Sequence, residues 1–233
     1  MIEAMVISIG EPQLERCMKS VSEQTVPFSS VIHVDGVVPN SEAFNRGIRM
    51  STQEWVMHIA GDFILYPNAV EVAEGYIRRS RDEICGYYFK IVDTFLDCET
   101  GFCSVLRTKA FKKIVFNDTA WDDRHMMYRL RASGWRVRKP SDVIATHFDK
   151  PNEFQVFRRF FFHGSKFNDN TYVRERMKEL YLKTKDPLYQ TGVRAILFAK
   201  MKKINPGSPN VDLAKKMFNE FRIWDFNMDS RAA

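Results

Sequence analysis

Short β-prone apolar runs alternate with amphipathic helical patterns from about residue 5 to residue 79, and that alternation leaves few ways to fold. Met5 to Ile9 (MVISI) reads as a buried strand. Gln13 to Gln24 places Leu14, Cys17, Met18 and Val21 at i, i+3, i+4 and i+7, the spacing of one helix face. Pro27 interrupts, and Ser30 to Val34 reads as a second strand ended by Asp35-Gly36. A Pro39-Asn40-Ser41 turn opens a second helix with Ala43, Gly47 and Ile48 on one side. Trp55 to Ile59 is a third strand, and a further helix runs from Tyr66-Pro67-Asn68 to about Arg79. Strand and helix in alternation predict a parallel sheet with right-handed crossovers. Ligands of such sheets bind outside the carboxyl ends of the strands. Asp35 and Asp62 each fall at such an end, so topology alone places two carboxylates on one rim.

From Cys85 to Val105 the pattern changes to strand-like segments broken by Asp97, Glu99 and Gly101, read as a hairpin or mixed-sheet insertion. A short helix is expected at Lys109 to Ile114 and a firmer one from Asp122 to Ser133, ended by Gly134. Trp135 to Val137 and Val143 to His147 are expected strands. Residues 151–233 are helical, aromatic and basic in character. Phe154, Phe157, Phe160 and Phe161 fall at helical spacing, and helices are expected at 173–184, 188–203 and 209–222, the last with Ser208 as N-cap and Pro209 at N1. The expected organisation is an α/β mixed sheet flanked by helices at 1–150, with a helical extension at 151–233 packed on or near the active site.

Charge separates the same two parts. Residues 1–150 hold 19 Lys/Arg against 20 Asp/Glu, and residues 151–233 hold 16 against 9. The basic surface of the last third suits anionic lipid, nucleic acid or a phosphorylated substrate, and equally a solvated helical face. Of the four cysteines none forms a CxxC pair, which disfavours zinc. The start, MIEAMVISIG, has no basic region and runs into a strand pattern, so no signal peptide is expected. No apolar run reaches the roughly 18–20 residues of a membrane span. A cytoplasmic location is expected, with peripheral contact at the inner membrane face left open.

Three segments, in order, resemble the inverting glycosyltransferases of family 2, which have the GT-A fold. LERCMKSVSEQTVPFSSVIHVDG is similar to the family's helix, Gln-Thr-x-Pro turn and second strand ending in Asp. The resemblance implies that Asp35 meets the nucleoside; a turn-capping Asp before Gly36 is the plainer alternative. AFNRGIRMSTQEWVMHIAGDFILYPNAV is similar to the Asn-x-Gly helix, the following strand, the Asp-x-Asp motif and the Pro-Asn-Ala helix start. Counting back from Pro67 puts Ala60-Gly61-Asp62 on Asp-x-Asp, with the first acid replaced by Ala60. Asp62 is then the implied ligand of a divalent cation, Mn²⁺ or Mg²⁺, and Asn45 joins the donor-binding residues. One carboxylate plus substrate phosphates is chemically sufficient for such an ion.

NDTAWDDRHMMYRLRASGWRV resembles the family's acidic pair at a helix start, followed by Arg and Gly-aromatic-basic-hydrophobic. Asp123 falls on the catalytic base, which takes the acceptor hydroxyl's proton during attack. Asp122 and Trp121 fall on the acceptor side, although both acids also suit a helix N-terminus and Trp121 also suits a core. His147 ends the strand VIATHF where some members carry a His near the metal or diphosphate. Arg158 and Arg159, in RRFFFHGSK, could pair with diphosphate oxygens, lie on anionic lipid, or face solvent from a packing helix. The implied reaction, of the hexosyltransferase class, moves a sugar from a nucleotide diphosphate sugar, a UDP-sugar before a GDP- or dTDP-sugar, to a hydroxyl of a glycan, lipid-linked or protein-linked acceptor. The alternatives are a degenerate GT-A-like binding protein, suggested by Ala60, and a nucleotidyltransferase, which the short acidic loop Gly10-Glu11-Pro12 disfavours. A nucleic-acid-binding module is disfavoured too, and the oligomeric state is not legible.

Overall fold

The computed structural model describes residues 1–117, 122–166, 171–202 and 211–232. The chain divides into two compact units that part at Asp149/Lys150.

The first unit is an eight-stranded mixed sheet with helices on both faces. Its elements in chain order are β1 (Ile2–Ser8), α1 (Leu14–Ser22), β2 (Val31–Asp35), α2 (Asn40–Met50), β3 (Trp55–Ala60), β4 (Phe63–Leu65), α3 (Ala69–Arg78), β5 (Ile84–Asp93), β6 (Cys98–Arg107), α4 (Thr108–Lys113), α5 (Asp122–Ala132), β7 (Arg136–Arg138) and β8 (Val143–His147). The order across the sheet is β2-β1-β3-β6-β5-β8-β4, with β7 beside the start of β5.

Every residue of β1 is buried, because both of its faces are covered. Ile2, Ala4 and Val6 join the core that holds Cys17 and Val21 of α1 and Ala69, Val70 and Ala73 of α3. Met5 and Ile7 join the opposite core with Ala43, Phe44 and Ile48 of α2. β2, at the sheet edge, alternates instead: Ile32 and Val34 are buried against α2, while Val31, His33 and Asp35 are exposed. Gly47 is what lets α2 lie this close, since a Cβ there would stand 2.3 Å from the Met5 sulfur. β5 and β6 form the hairpin expected of the insertion. Its turn contains Asp97 at φ 46°, and Gly101 follows at φ 62° inside β6.

In the first unit the structure adds an element to those expected from sequence. Between Asp62 and the expected helix, Phe63–Leu65 is a strand, β4, antiparallel to β8 with Phe63 opposite His147. Three apolar residues carry no readable period, and their partner lies about eighty residues on, so nothing local marks them as a strand. The sheet path from β3 through β6, β5 and β8 to β4 therefore returns to within two residues of β3. The sheet must curl around its own rim, and Gly61-Asp62 is the link that closes it.

The second unit contains α6 (Glu153–Lys166), α7 (Thr171–Thr184), α8 (Pro187–Lys202) and α9 (Val211–Ala232). The expected Ser208-Pro209 helix start lies outside the described residues. Phe157, Phe160 and Phe161 are buried together with Phe198 and Phe221, with Phe157 and Phe221 ring centroids 4.8 Å apart. These phenylalanines are core, so they are not a face turned to lipid. α6 and α8 pack backbone to backbone, since a Cβ on Gly164 would stand 2.8 Å from Ile196 Cα. Among the described residues no helix is long and apolar enough to cross a membrane.

Candidate active site

Strand direction gathers the acidic residues. β2 and β3 run parallel to β1; β6 is antiparallel to both β3 and β5; β8 is parallel to β5. The carboxyl ends of β1, β2, β3, β5 and β8 therefore share one rim. At those ends stand Ser8, Asp35, Ala60, Asp93 and His147, with Asp62 in the link after β3.

On the β2 side, Ser8 Oγ donates to Asp35 Oδ1 at 2.5 Å and lies 2.8 Å from His33 Nε2. Counting protons assigns the roles. The serine hydroxyl has one hydrogen, and the carboxylate can only accept. Ser8 therefore donates to Asp35, and the His33 contact is an Nε2–H donated to Ser8 Oγ. Ser8 is buried while Asp35 is exposed, so an exposed carboxylate is anchored through Oδ1 to the buried β1 strand.

At the middle of the rim three groups lie in line. His147 Nε2 is 3.0 Å from Asp62 Oδ2, and His147 Nδ1 is 3.0 Å from Asp93 Oδ2. Asp93 is 1% exposed and its Oδ1 accepts the Leu96 amide at 2.8 Å. Burial lowers the imidazole pKa, but hydrogen bonds and attraction from the two carboxylates outweigh it and carry His147 up to about 9. The main chain fixes Asp62 from both sides: Gly61 N–H bonds to Ile7 O at 2.8 Å, and Phe148 N–H bonds to Asp62 O at 2.9 Å. Glu11 lies alongside, its Oε2 accepting the Ile9 amide at 2.8 Å. A Cβ on Gly61 would stand 2.8 Å from that oxygen and 3.0 Å from Ser8 Cβ, so any larger residue between Ala60 and Asp62 would displace the Glu11 carboxylate.

These residues fit a hard divalent cation in a restricted way. Asp62 Oδ1 is shielded from solvent and accepts no hydrogen bond among the described residues, an oxygen in need of a positive partner. His147 Nε2 is engaged by Asp62 and would have to release it to coordinate. Ala60 offers no donor, and among the described residues no three His, Cys, Asp or Glu side chains are arranged to hold a metal. The protein would thus supply one or two ligands and leave the others to phosphate oxygens and water.

Of the residues singled out by sequence, Asp35, Asp62 and His147 come together on the rim. Asn45 has a different task. It is buried, its Nδ2 donates to Phe116 O at 2.8 Å and its Oδ1 accepts Phe116 N–H at 2.9 Å, so it clasps the connection that follows α4. Asp122 and Asp123 are the first two residues of α5, and their side chains, like Trp121 as a whole, lie outside the described residues. Arg158 is exposed on α6, and the Arg159 guanidinium lies 5.3 Å from the Phe160 ring centroid, both in the second unit. Sequence reasoning missed Ser8, His33, Glu11 and Asp93. Asp93 was open to the rule that found Asp62, an acid at the carboxyl end of a strand, had β5 been recognised as parallel to β1.

No family model matches the sequence, and no curated protein matches it. Solved structures do match its fold. The mannosyltransferase PcManGT of Pyrobaculum calidifontis, in complex with GDP-Man and Mn²⁺, superposes at TM-score 0.55 with 14% identity, over 96% of this chain and 82% of that one. Residues 1–349 of S. aureus TarS, in complex with UDP-GlcNAc, superpose at 0.51 with 12% identity, over 85% and 81%. Against a longer TarS chain the match spans 42% of that chain's length, at TM-score 0.48. The fold is the one shared by these GT-A-type proteins, an α/β mixed sheet flanked by helices.

Proposed function

We propose that the protein is an inverting glycosyltransferase that moves a sugar from a nucleotide diphosphate sugar to a hydroxyl acceptor with the help of Mn²⁺ or Mg²⁺. The observation that carries this reading is the meeting of Asp62 and His147 at 3.0 Å on the same rim as Asp35, on a fold shared with structures that hold GDP-Man with Mn²⁺ and UDP-GlcNAc. Asp35 would hold the nucleoside. Its carboxylate, held on Ser8, can accept from a base N–H or a ribose hydroxyl, with a UDP-sugar put before a GDP- or dTDP-sugar as donor. Asp62, through its unpartnered Oδ1, would hold the cation, with His147 beside it. When bound, such an ion neutralises charge building on the departing diphosphate.

Asp123, at the start of α5, is proposed to take the acceptor proton as the hydroxyl attacks the anomeric carbon from the face opposite the leaving group. Asp122 and Trp121 would border the acceptor.

The test is calorimetric titration of UDP-, GDP- and dTDP-sugars with Mn²⁺, with Mg²⁺ and with EDTA, followed by donor hydrolysis. Wild type should bind one donor class in a metal-dependent way. Asp62→Ala should lose that dependence, and Asp123→Asn should bind the donor but lose turnover. Absence of binding under every condition overturns the reading; donor binding without turnover in wild type points instead to a degenerate binding protein.

A further inference from the structure

We propose that Asp93 is a positioning residue that fixes the proton of His147 on Nδ1 and so presents Nε2 to Asp62 and the diphosphate site. This rests on the reading of Asp62 and His147 given above. Asp93 is anomalous as a structural residue. Along β5, Tyr87, Phe89 and Ile91 alternate into the main core, and Asp93 continues the same face, nearly fully buried where the pattern calls for another apolar side chain. A carboxylate on a core face is costly unless it is paired and hydrogen-bonded. Capping the Leu96 amide does not explain its charge, because an uncharged Asn can accept the same bond.

The second oxygen supplies the explanation. Asp93 and His147 are direct partners in the parallel pairing of β5 with β8, and Oδ2 stands 3.0 Å from Nδ1. The carboxylate can only accept, so Nδ1 must carry a hydrogen whether the ring is neutral or charged. The opposite nitrogen becomes the working one: protonated, it donates to Asp62 Oδ2, and only once Asp62 turns away and that proton is lost can it give its lone pair to a cation. Ligating histidines are commonly held in this manner by a carboxylate on the far ring nitrogen, and loss of that partner weakens metal affinity about 10–100-fold. The Phe63 ring, 5.5 Å away and edge-on, restricts the imidazole from the side.

Asp93→Asn separates this role from a structural one. The Leu96 amide can only donate, so it keeps the side-chain oxygen of the variant; the new side-chain nitrogen must then face His147 Nδ1 and donate to it. The ring is driven to the Nε2–H tautomer, which can no longer offer a lone pair toward the cation. Long-range ¹H–¹⁵N spectra of the full chain in EDTA should show His147 Nδ1 protonated in wild type and unprotonated in Asp93→Asn. Calorimetry with Mn²⁺ and the preferred nucleotide sugar should show affinity reduced about 10–100-fold in the variant, with the melting transition retained.

A folded variant with unchanged protonation and unchanged affinity overturns the proposal. So does a wild-type spectrum with Nδ1 unprotonated, which decides the matter even where Asp93→Asn fails to fold. If Asp62→Ala loses metal-dependent binding while Asp93→Asn keeps it, the site stands and Asp93 has no part in it. If wild type binds no donor, the functional reading falls while the spectra still decide where the proton lies.

Discussion

The His147 imidazole should make this protein lose stability as pH rises through neutrality, which is unusual for a chain whose carboxylates are paired. In the unfolded chain a histidine titrates near 6.5, and in the folded protein His147 titrates at about 9. Between those values the folded state binds a proton that the unfolded state lacks. Its stabilisation is fully present below pH 6.5 and is lost as pH rises toward 9, at up to about 1.4 kcal/mol per pH unit. From pH 6.5 to 8.5 the loss is about 2 kcal/mol, a large part of the stability of an ordinary domain. The side chain is 17% exposed, so solvent screening does not remove the effect.

The assay is urea unfolding in EDTA at pH 6.5, 7.5 and 8.5, for wild type and His147→Gln. Buried thiols at Cys17 and Cys85, pushed up to about 12 chiefly by burial, also weaken the fold at alkaline pH, but above this window and equally in both proteins. Wild type should exceed the variant most at pH 6.5, and the gap should narrow by about 2 kcal/mol at pH 8.5. A gap that is constant or widens with pH refutes the argument that the two carboxylates hold a charged ring.

Two further substitutions test the surroundings. Asn45→Ala removes both hydrogen bonds to the Phe116 main chain and should cost about 1–3 kcal/mol in urea unfolding; a loss under about 0.5 kcal/mol would show that water replaces the clasp. Gly61→Ala forces a methyl group against Glu11 Oε2 and, at 3.0 Å, against Ser8 Cβ, so metal-dependent donor affinity should fall more than stability does, read by calorimetry beside thermal melting.

What sequence reveals here follows from the range over which each signal acts. β1, α1, β2, α2 and β3 were readable because apolar runs and helical spacing are local properties. Asp35 and Asp62 could be placed on one rim because the alternation of strand and helix fixes strand direction. β4 and Asp93 were not readable: each takes its meaning from pairing with β8, and a segment as short as Phe63–Leu65 has no period of its own. Asn45 shows the reverse difficulty. Its Asn-x-Gly setting matches a donor-binding pattern, yet the side chain is turned to Phe116 by a loop whose course the sequence does not display. The phenylalanines of α6 were ambiguous between core and surface because spacing reports a shared face but not what covers it.

The Gly61-Asp62 link joins strands at the two ends of a path that curls back on itself. The amide of Gly61 belongs to β1, and the carbonyl of Asp62 belongs to the residue that follows β8. On one side the anchor is a fully buried strand; on the other it is the three-residue edge pairing of β4 with β8. Amide exchange should therefore be slow at Gly61 and faster at Phe148, because edge pairings open first. The acid assigned to the cation thus has one firm abutment and one yielding one, and any adjustment of the rim to the length of a diphosphate falls to the β4–β8 side.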